Sequence, residues 1–168
     1  MTTIEVTRTY LEMTSPPGTG DGVPAPPGTR LEPVAWVPAS LWRYLYSEVG
    51  RPWHWRDRLG WADGEIRAYL SGPITLWLLS SGGAPAGYFE LKRCDDRSVE
   101  IAYFGLLPDF VGKGLGKYLL IRAIEEAWAL APSRVWLHTC TLDHPAALPN
   151  YLARGFTATR TESYTVEA

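Results

Sequence analysis

Along the 168-residue chain the spacing of hydrophobic and polar positions changes several times, and each change marks an element. Thr3–Met13 alternates loosely through Ile4, Val6 and Tyr10, which predicts an opening strand. Ser15–Pro33 is crowded with Pro and Gly and reads as a long loop, either a connection or a lid. Two short helices are expected, Ala39–Val49 after Pro38 and Ala62–Leu70 before the Ser71-Gly72-Pro73 stop, joined by the Trp-rich segment Arg51–Trp61. Three strand-like runs follow, Ile74–Ser80, Ala86–Arg93 and Val99–Leu107, with turns at Ser81–Pro85 and Cys94–Arg97, and they predict an antiparallel meander. Over Leu115–Leu130 the positions Leu120, Ile121, Ile124, Ala127, Trp128 and Ala131 form a helical stripe, while Lys117, Arg122, Glu125 and Glu126 take mostly other faces. Arg134–Thr139 returns as a strand, and the intervening helix makes it parallel to Val99–Leu107. A helix over Ala146–Arg154 and a last strand from Phe156 toward Val166 complete a mixed α/β arrangement.

Composition narrows the class. The length and the 46% hydrophobic content fit a single domain over residues 1–168 with a substantial core. A formal net charge of -2 supplies no broad positive field, so neither nucleic acid nor an anionic membrane is an expected partner. No signal-type segment or run of about 20 apolar residues is present, and a cytoplasmic location is expected. Cys94 and Cys140 make a disulfide framework improbable in a reducing compartment, and with three histidines they show no zinc spacing, so no metal is expected. The eight tryptophans and nine tyrosines concentrate early, including Trp36, Trp42, Tyr44, Tyr46, Trp53, Trp55, Trp61 and Tyr69. They read as core packing or as the lining of an aromatic pocket, where Asp57, Asp63 and Glu65 can draw a cation.

The segment Val111-Gly112-Lys113-Gly114-Leu115-Gly116-Lys117 joins a predicted strand to the start of the firmest predicted helix. Such a turn gathers unpaired backbone N–H groups where the helix dipole favours negative charge, and the glycines keep side chains away from phosphate oxygens. Lys113 and Lys117 add charge nearby, so the turn suits a diphosphate. A Walker loop fails because Val111 and Tyr118 stand at its glycine and hydroxyl positions, and G-x-G-x-x-G fails at Lys117 or Leu119.

Val111-x-x-Gly114-x-Gly116 at the start of a helix after the fourth predicted strand resembles the Gln/Arg-x-x-Gly-x-Gly/Ala motif of the GCN5-related N-acetyltransferases (GNAT). Val111 departs from it by supplying no polar side chain. A second match follows in order: Asp143-His144-Pro145-Ala146-Ala147, then Tyr151-Leu152-Ala153-Arg154-Gly155-Phe156, is similar to the family's C-terminal helix and Gly-Phe turn. The resemblance is strongest over residues 74–164. It implies the GNAT fold, a mostly antiparallel mixed sheet splayed between the fourth and fifth predicted strands and flanked by helices.

That resemblance further implies direct acetyl transfer from acetyl-CoA to a primary amine of a small molecule or peptide, with homodimers common in the family. Phe104, Gly105, Leu106 and Leu107 would hold the pantetheine arm through their backbone, and Val111, Gly112, Lys113, Gly114, Leu115, Gly116 and Lys117 the diphosphate. Pro108 cannot donate. Tyr151 matches the tyrosine that protonates the departing thiolate. Glu100 and Glu90 are the candidate bases for the amine, and strand alternation does not say which faces the cleft. His138 and Cys140 share a strand face, but a lone Cys on an apolar strand reads as filling rather than as a nucleophile. His144 reads as a cap or cleft contact, and His54 as acceptor lining or packing. The alternatives are a non-catalytic acyl-CoA sensor, suggested by Val111, and an acyltransferase with another acyl donor.

Overall fold

A computed structural model of the protein describes residues 1–18 and 23–168. In chain order the elements are β1 (Thr3–Met13), β2 (Thr29–Pro33), α1 (Ala39–Gly50), α2 (Asp63–Leu70), β3 (Ile74–Ser81), β4 (Ala84–Arg93), β5 (Val99–Leu106), α3 (Leu115–Ala129), β6 (Val135–Cys140), α4 (Ala147–Ala153) and β7 (Thr157–Glu167). The seven strands form one sheet in the order β2-β3-β4-β5-β6-β1-β7.

Most expected elements are present. The long loop is a partial exception, because Thr29–Pro33 at its end pairs antiparallel with β3. Its alternation is too short, and too close to prolines, to register as a strand without the partner edge. Residues 19–22 of the expected loop lie outside the described residues. The extra strand moves the numbering, so the expected splay falls between β5 and β6.

The splay is visible in the register. β5 and β6 run parallel but pair only at Val99↔Val135 and Glu100↔Trp136. Beyond that point they diverge, and the β6-facing backbone of β5 has no strand partner. On its other side β5 carries a bulge: Glu90 pairs with Tyr103 and Leu91 with Ile101, leaving Ala102 as the extra residue. A bulge re-aims the side chains beyond it. Ile101 therefore points to the α3 side, while Tyr103, two residues later, joins the α1/α2 side.

Two apolar layers cover the sheet. One packs Leu115, Leu119, Ala123 and Ile124 of α3 against Phe89, Leu91, Ile101 and Leu137. The other packs Trp42, Leu45 and Val49 of α1 and Ile66 of α2 against Leu76 and Tyr88. α2 begins where the Glu65 carboxylate accepts a 2.7 Å hydrogen bond from the Ala62 N–H, an N-terminal cap made by an acidic side chain. α1 lies so close to β5 that a Cβ at Gly105 would stand 2.5 Å from Val49 Cγ1, so only glycine fits there. No helix among the described residues is long and apolar enough to cross a membrane.

Candidate active site

Divergence of β5 and β6 opens a cleft of about 530 Å³. Its walls come from β5, the turn before α3, α4, and the segment after α1; its floor comes from β6, β1 and β7.

The turn before α3 is shaped by two glycines in the left-handed region, Gly112 at φ 81° and Gly114 at φ 78°. Gly114 is the N-terminal cap of the fifteen-residue α3, and no side chain caps that end. A Cβ at either glycine would meet nothing within 4 Å, so the glycines serve the backbone path and leave space for a ligand. Exposed N–H groups, an unspent helix dipole and the exposed Lys113 and Lys117 fit the diphosphate expected there. Val111, Gly112, Gly116 and Lys117 line the cleft, as do Phe104, Gly105 and Leu106 of β5. Lys113 instead lies over the Phe110 ring at 5.6 Å. Gly114 caps the helix, Leu115 and Leu107 are buried in the two apolar layers, and none of the three lines the cleft.

Tyr151 lines the cleft from α4, held edge-on against Phe104 at 6.5 Å and Phe156 at 6.1 Å. Burial, and then the Asp143 carboxylate, push its phenol well above the ordinary range. A phenol in this state keeps its proton across neutral pH and presents it as a hydrogen-bond donor to an anion formed beside it. Asp143 is itself committed: its Oδ2 accepts from the Thr139 hydroxyl and, at 3.0 Å, from the Cys140 N–H.

The two candidate bases separate in space. Glu90 is fully buried and does not line the cleft. Its carboxylate accepts from Trp42 Nε1 at 3.0 Å and from the Tyr69 hydroxyl at 2.6 Å. Burial pushes it up to about 7, against the pull of those two hydrogen bonds and of the Arg58 charge. Glu100 sits at the last β5–β6 pair with its side chain 14% exposed, and Oε1 lies 4.0 Å from His138 Nε2. Burial raises the Glu100 carboxyl, opposed by Lys92 and Arg58. Burial, reinforced by the Arg8 charge, lowers His138 below its usual 6.5. A neutral imidazole on the cleft wall, beside a carboxylate, can accept a proton.

The early aromatics divide between the two expected roles. Trp42 stacks on Tyr46 at 5.1 Å and on Trp61 at 5.7 Å, inside the core layer. The cation over this box belongs to the chain itself: the Arg58 guanidinium lies 4.5 Å from the Trp61 and Tyr69 rings and 5.0 Å from Tyr103. Trp53, His54, Trp55 and Asp57 face the cleft, whereas Asp63 is paired with Arg43 at 2.8 Å. His144 lines the cleft as well, edge-on to Trp53 at 5.2 Å, and its Nδ1 accepts from the Ala146 N–H.

Arg8 and Asn150 also line the cleft and carried no sequence motif, and Arg154, which stands inside the second motif, lines it without having been read as a site residue. For Arg8 a signal existed: it interrupts the Ile4, Val6, Tyr10 face of β1 with a charge. Among the described residues no group of three or more His, Cys, Asp or Glu is placed to hold a metal ion.

The sequence model described as the acetyltransferase (GNAT) family matches residues 39–156. No curated protein matches the chain. Solved structures with the same fold include a GCN5-related N-acetyltransferase from Kribbella flavida, 18% identical with a TM-score of 0.64, covering 95% of this chain and 56% of that one. Another, from Sphaerobacter thermophilus, is 13% identical with a TM-score of 0.70 and covers 96% of this chain and 50% of that one. The ribosomal-protein-S18-alanine N-acetyltransferase of Escherichia coli is 16% identical with a TM-score of 0.62, covering 79% of each chain. The chain thus spans about half the length of the first two.

Proposed function

Since the chain belongs to the acetyltransferase (GNAT) family, we propose that it transfers an acetyl group directly from acetyl-CoA to a primary amine of a small molecule or peptide. The observation that carries this reading is the meeting, in one cleft, of the glycine turn before α3, the unpaired edge of β5 and the Tyr151 side chain.

Acetyl-CoA supplies the activated acetyl group. The N–H groups around Gly112, Gly114 and Gly116 bind the diphosphate, assisted by Lys113 and Lys117. The Phe104–Leu106 stretch of β5, freed by the splay on its β6 side, holds the pantetheine arm by its backbone and orients the thioester, whereas the Leu107 N–H beyond it is already bonded to Ala86. A backbone N–H from that same stretch polarises the carbonyl oxygen.

As the amine adds to the acetyl carbon and the carbon–sulfur bond breaks, two protons move. Tyr151 gives its hydroxyl proton to the sulfur. The amine gives up a proton to His138, with Glu100 beside that imidazole to stabilise its charged form. Glu90 has no path to the cleft, and its role is to hold α1, α2 and β4 together.

Titration calorimetry with acetyl-CoA, on wild type and Gly114→Trp, tests the reading, with circular dichroism confirming the fold of the variant. Micromolar binding by wild type, lost in the folded variant, together with thiol release on adding amines, supports it. Absence of binding by wild type ends it. Binding without thiol release across a broad amine panel favours the acyl-CoA sensor, and release only with another acyl-CoA favours the different donor.

A further inference from the structure

The floor of the cleft carries a cation that the transfer chemistry does not use. Arg8 stands on β1 opposite Cys140 of β6 and Glu162 of β7, and its side chain, 29% exposed, lines the cleft. Its Nε is buried with no hydrogen-bond partner. Its nearest carboxylate, Glu162, is 3.9 Å away and already committed: Oε1 takes a 2.6 Å bond from Arg160, and Oε2 a 3.3 Å bond from the Tyr10 hydroxyl. Two guanidinium groups therefore share one carboxylate, and the Arg8 side chain, steadied by the Tyr10 and Tyr164 hydroxyls, keeps no close carboxylate of its own. The Tyr164 ring, 5.1 Å from the Arg8 guanidinium carbon, supports it from the side.

Strand register places this charge relative to the transfer point. Phe104, which holds Tyr151, and Cys140, which pairs with Arg8, each lie four residues beyond the last β5–β6 pair, Glu100↔Trp136. At about 3.3 Å per residue Cys140 stands about 13 Å up its arm of the splay and Phe104 about 10 Å up the other, because the Ala102 bulge takes one residue out of the rise. The floor offers His138, held largely neutral at pH 7 by burial and Arg8, and Asp57, with an exposed side chain, lines the same cleft. Arg8, His138 and Asp57 thus line one cleft, a cation, an imidazole and a carboxylate together, the groups that the two ends of a zwitterion require.

Building on the acetyl-transfer reading above, we propose that the acceptor is an amino carboxylate of amino-acid type, its carboxylate bound by Arg8 and its amine presented toward His138 and the thioester. A planar guanidinium binds a carboxylate through two parallel N–H donors, which fixes orientation as well as charge. Asp57 attracts the ammonium form as it enters. The reaction balances as before: the amine nitrogen gains the acetyl group and loses one proton, and the thiol leaves protonated.

The test uses matched acceptor pairs, each an amino acid and its decarboxylated amine (phenylalanine and phenethylamine, tryptophan and tryptamine, lysine and cadaverine), with wild type, Arg8→Met and Arg8→Lys. Calorimetric titration of the same amino acids into the acetyl-CoA-free protein gives a readout independent of turnover. Wild type is expected to prefer the amino acid of at least one pair by about 100-fold in kcat/KM, because a site built for a carboxylate leaves its cation unpaired when the carboxylate is missing. Arg8→Met is expected to abolish that preference through KM, Arg8→Lys to restore part of it, and acetyl-CoA affinity to stay within about twofold in both. Equal use of both members of every pair overturns the proposal, as does an equal loss on both in Arg8→Met. A protein that binds acetyl-CoA but neither binds nor acetylates any amino acid also overturns it while leaving acetyl transfer standing. Failure to bind acetyl-CoA overturns both.

Discussion

The two sides of the cleft are made of different material. On the α3 side the ligand-facing surface is mostly backbone: the turn through Gly112 and Gly114, the uncapped start of α3, and the free edge of β5. On the β6–β1–β7 side it is side chains, Arg8, His138, Cys140 and Tyr164, standing on three strands that are far apart in the chain. A backbone surface of this kind recognises what every donor of one type shares, a diphosphate and an extended amide arm. A side-chain surface is free to differ from one protein to the next, because any strand accepts any residue facing a cleft. The difference explains how the fold is shared at 13–18% identity while the acceptor has to be argued from individual charges.

Substitutions can sharpen that contrast. The largest effect is expected at the junction of the two sides: Tyr151→Phe should lower kcat about 1000-fold with acetyl-CoA affinity nearly unchanged, as steady-state kinetics beside calorimetry would show. A comparable loss of affinity would mean that Tyr151 binds rather than donates.

Next comes the buried carboxylate behind the cleft. Glu90 titrates near 7 in the fold against an ordinary 4.5, so between those values the folded chain holds a proton that the unfolded chain has released. The stability it contributes is complete below pH 4.5 and is lost as pH rises through 7, about 3 kcal/mol in all. Denaturant unfolding at pH 5 and pH 8 should show this slope in wild type and its absence in Glu90→Gln. Identical slopes would place the proton elsewhere.

His138→Gln should lower kcat/KM about 30-fold and remove the acid limb of its pH profile. In wild type that limb lies below pH 6.5, because burial and Arg8 depress the imidazole and protonation is what silences it. An unchanged limb in the variant would shift the assignment to Glu100 acting alone. The smallest effect tests the backbone side: Gly114→Ala should destabilise the fold by about 1 kcal/mol, the strain of a Cβ at φ 78°, because that Cβ meets no neighbour. Thermal unfolding measures it, and a much larger loss would show packing that the open surroundings of Gly114 do not provide.

How much of this was legible in the chain differs along the same line. The meander, the α3 stripe, the glycine turn and the Tyr151 helix are local patterns, set by side-chain period and by the φ freedom of glycine, and they were readable in order. β2 was missed because five residues ending in Pro33 become a strand only against the edge of β3. The aromatics were ambiguous because only packing shows that Trp42 and Trp61 are core while Trp53 and Trp55 face the cleft. Strand alternation alone did not tell Glu90 from Glu100, since both lie on the α1/α2 side of the sheet. What separates them is that Trp42 and Tyr69 hydrogen-bond Glu90 inside the core, whereas Glu100, which does not line the cleft either, lies 4.0 Å from the cleft-lining His138.

By itself, then, the sequence determined the order of every element but β2, the glycine turn before α3 and the family, because each depends on neighbours within a few residues or on a short motif. Only the tertiary structure decided which charges meet: Arg8 with Tyr164, Glu100 with His138, Arg58 inside its own aromatic box. Those pairings join positions that chain connectivity leaves independent. They arise from strand register and from the divergence of two strands, and both are set by the packing of the whole sheet.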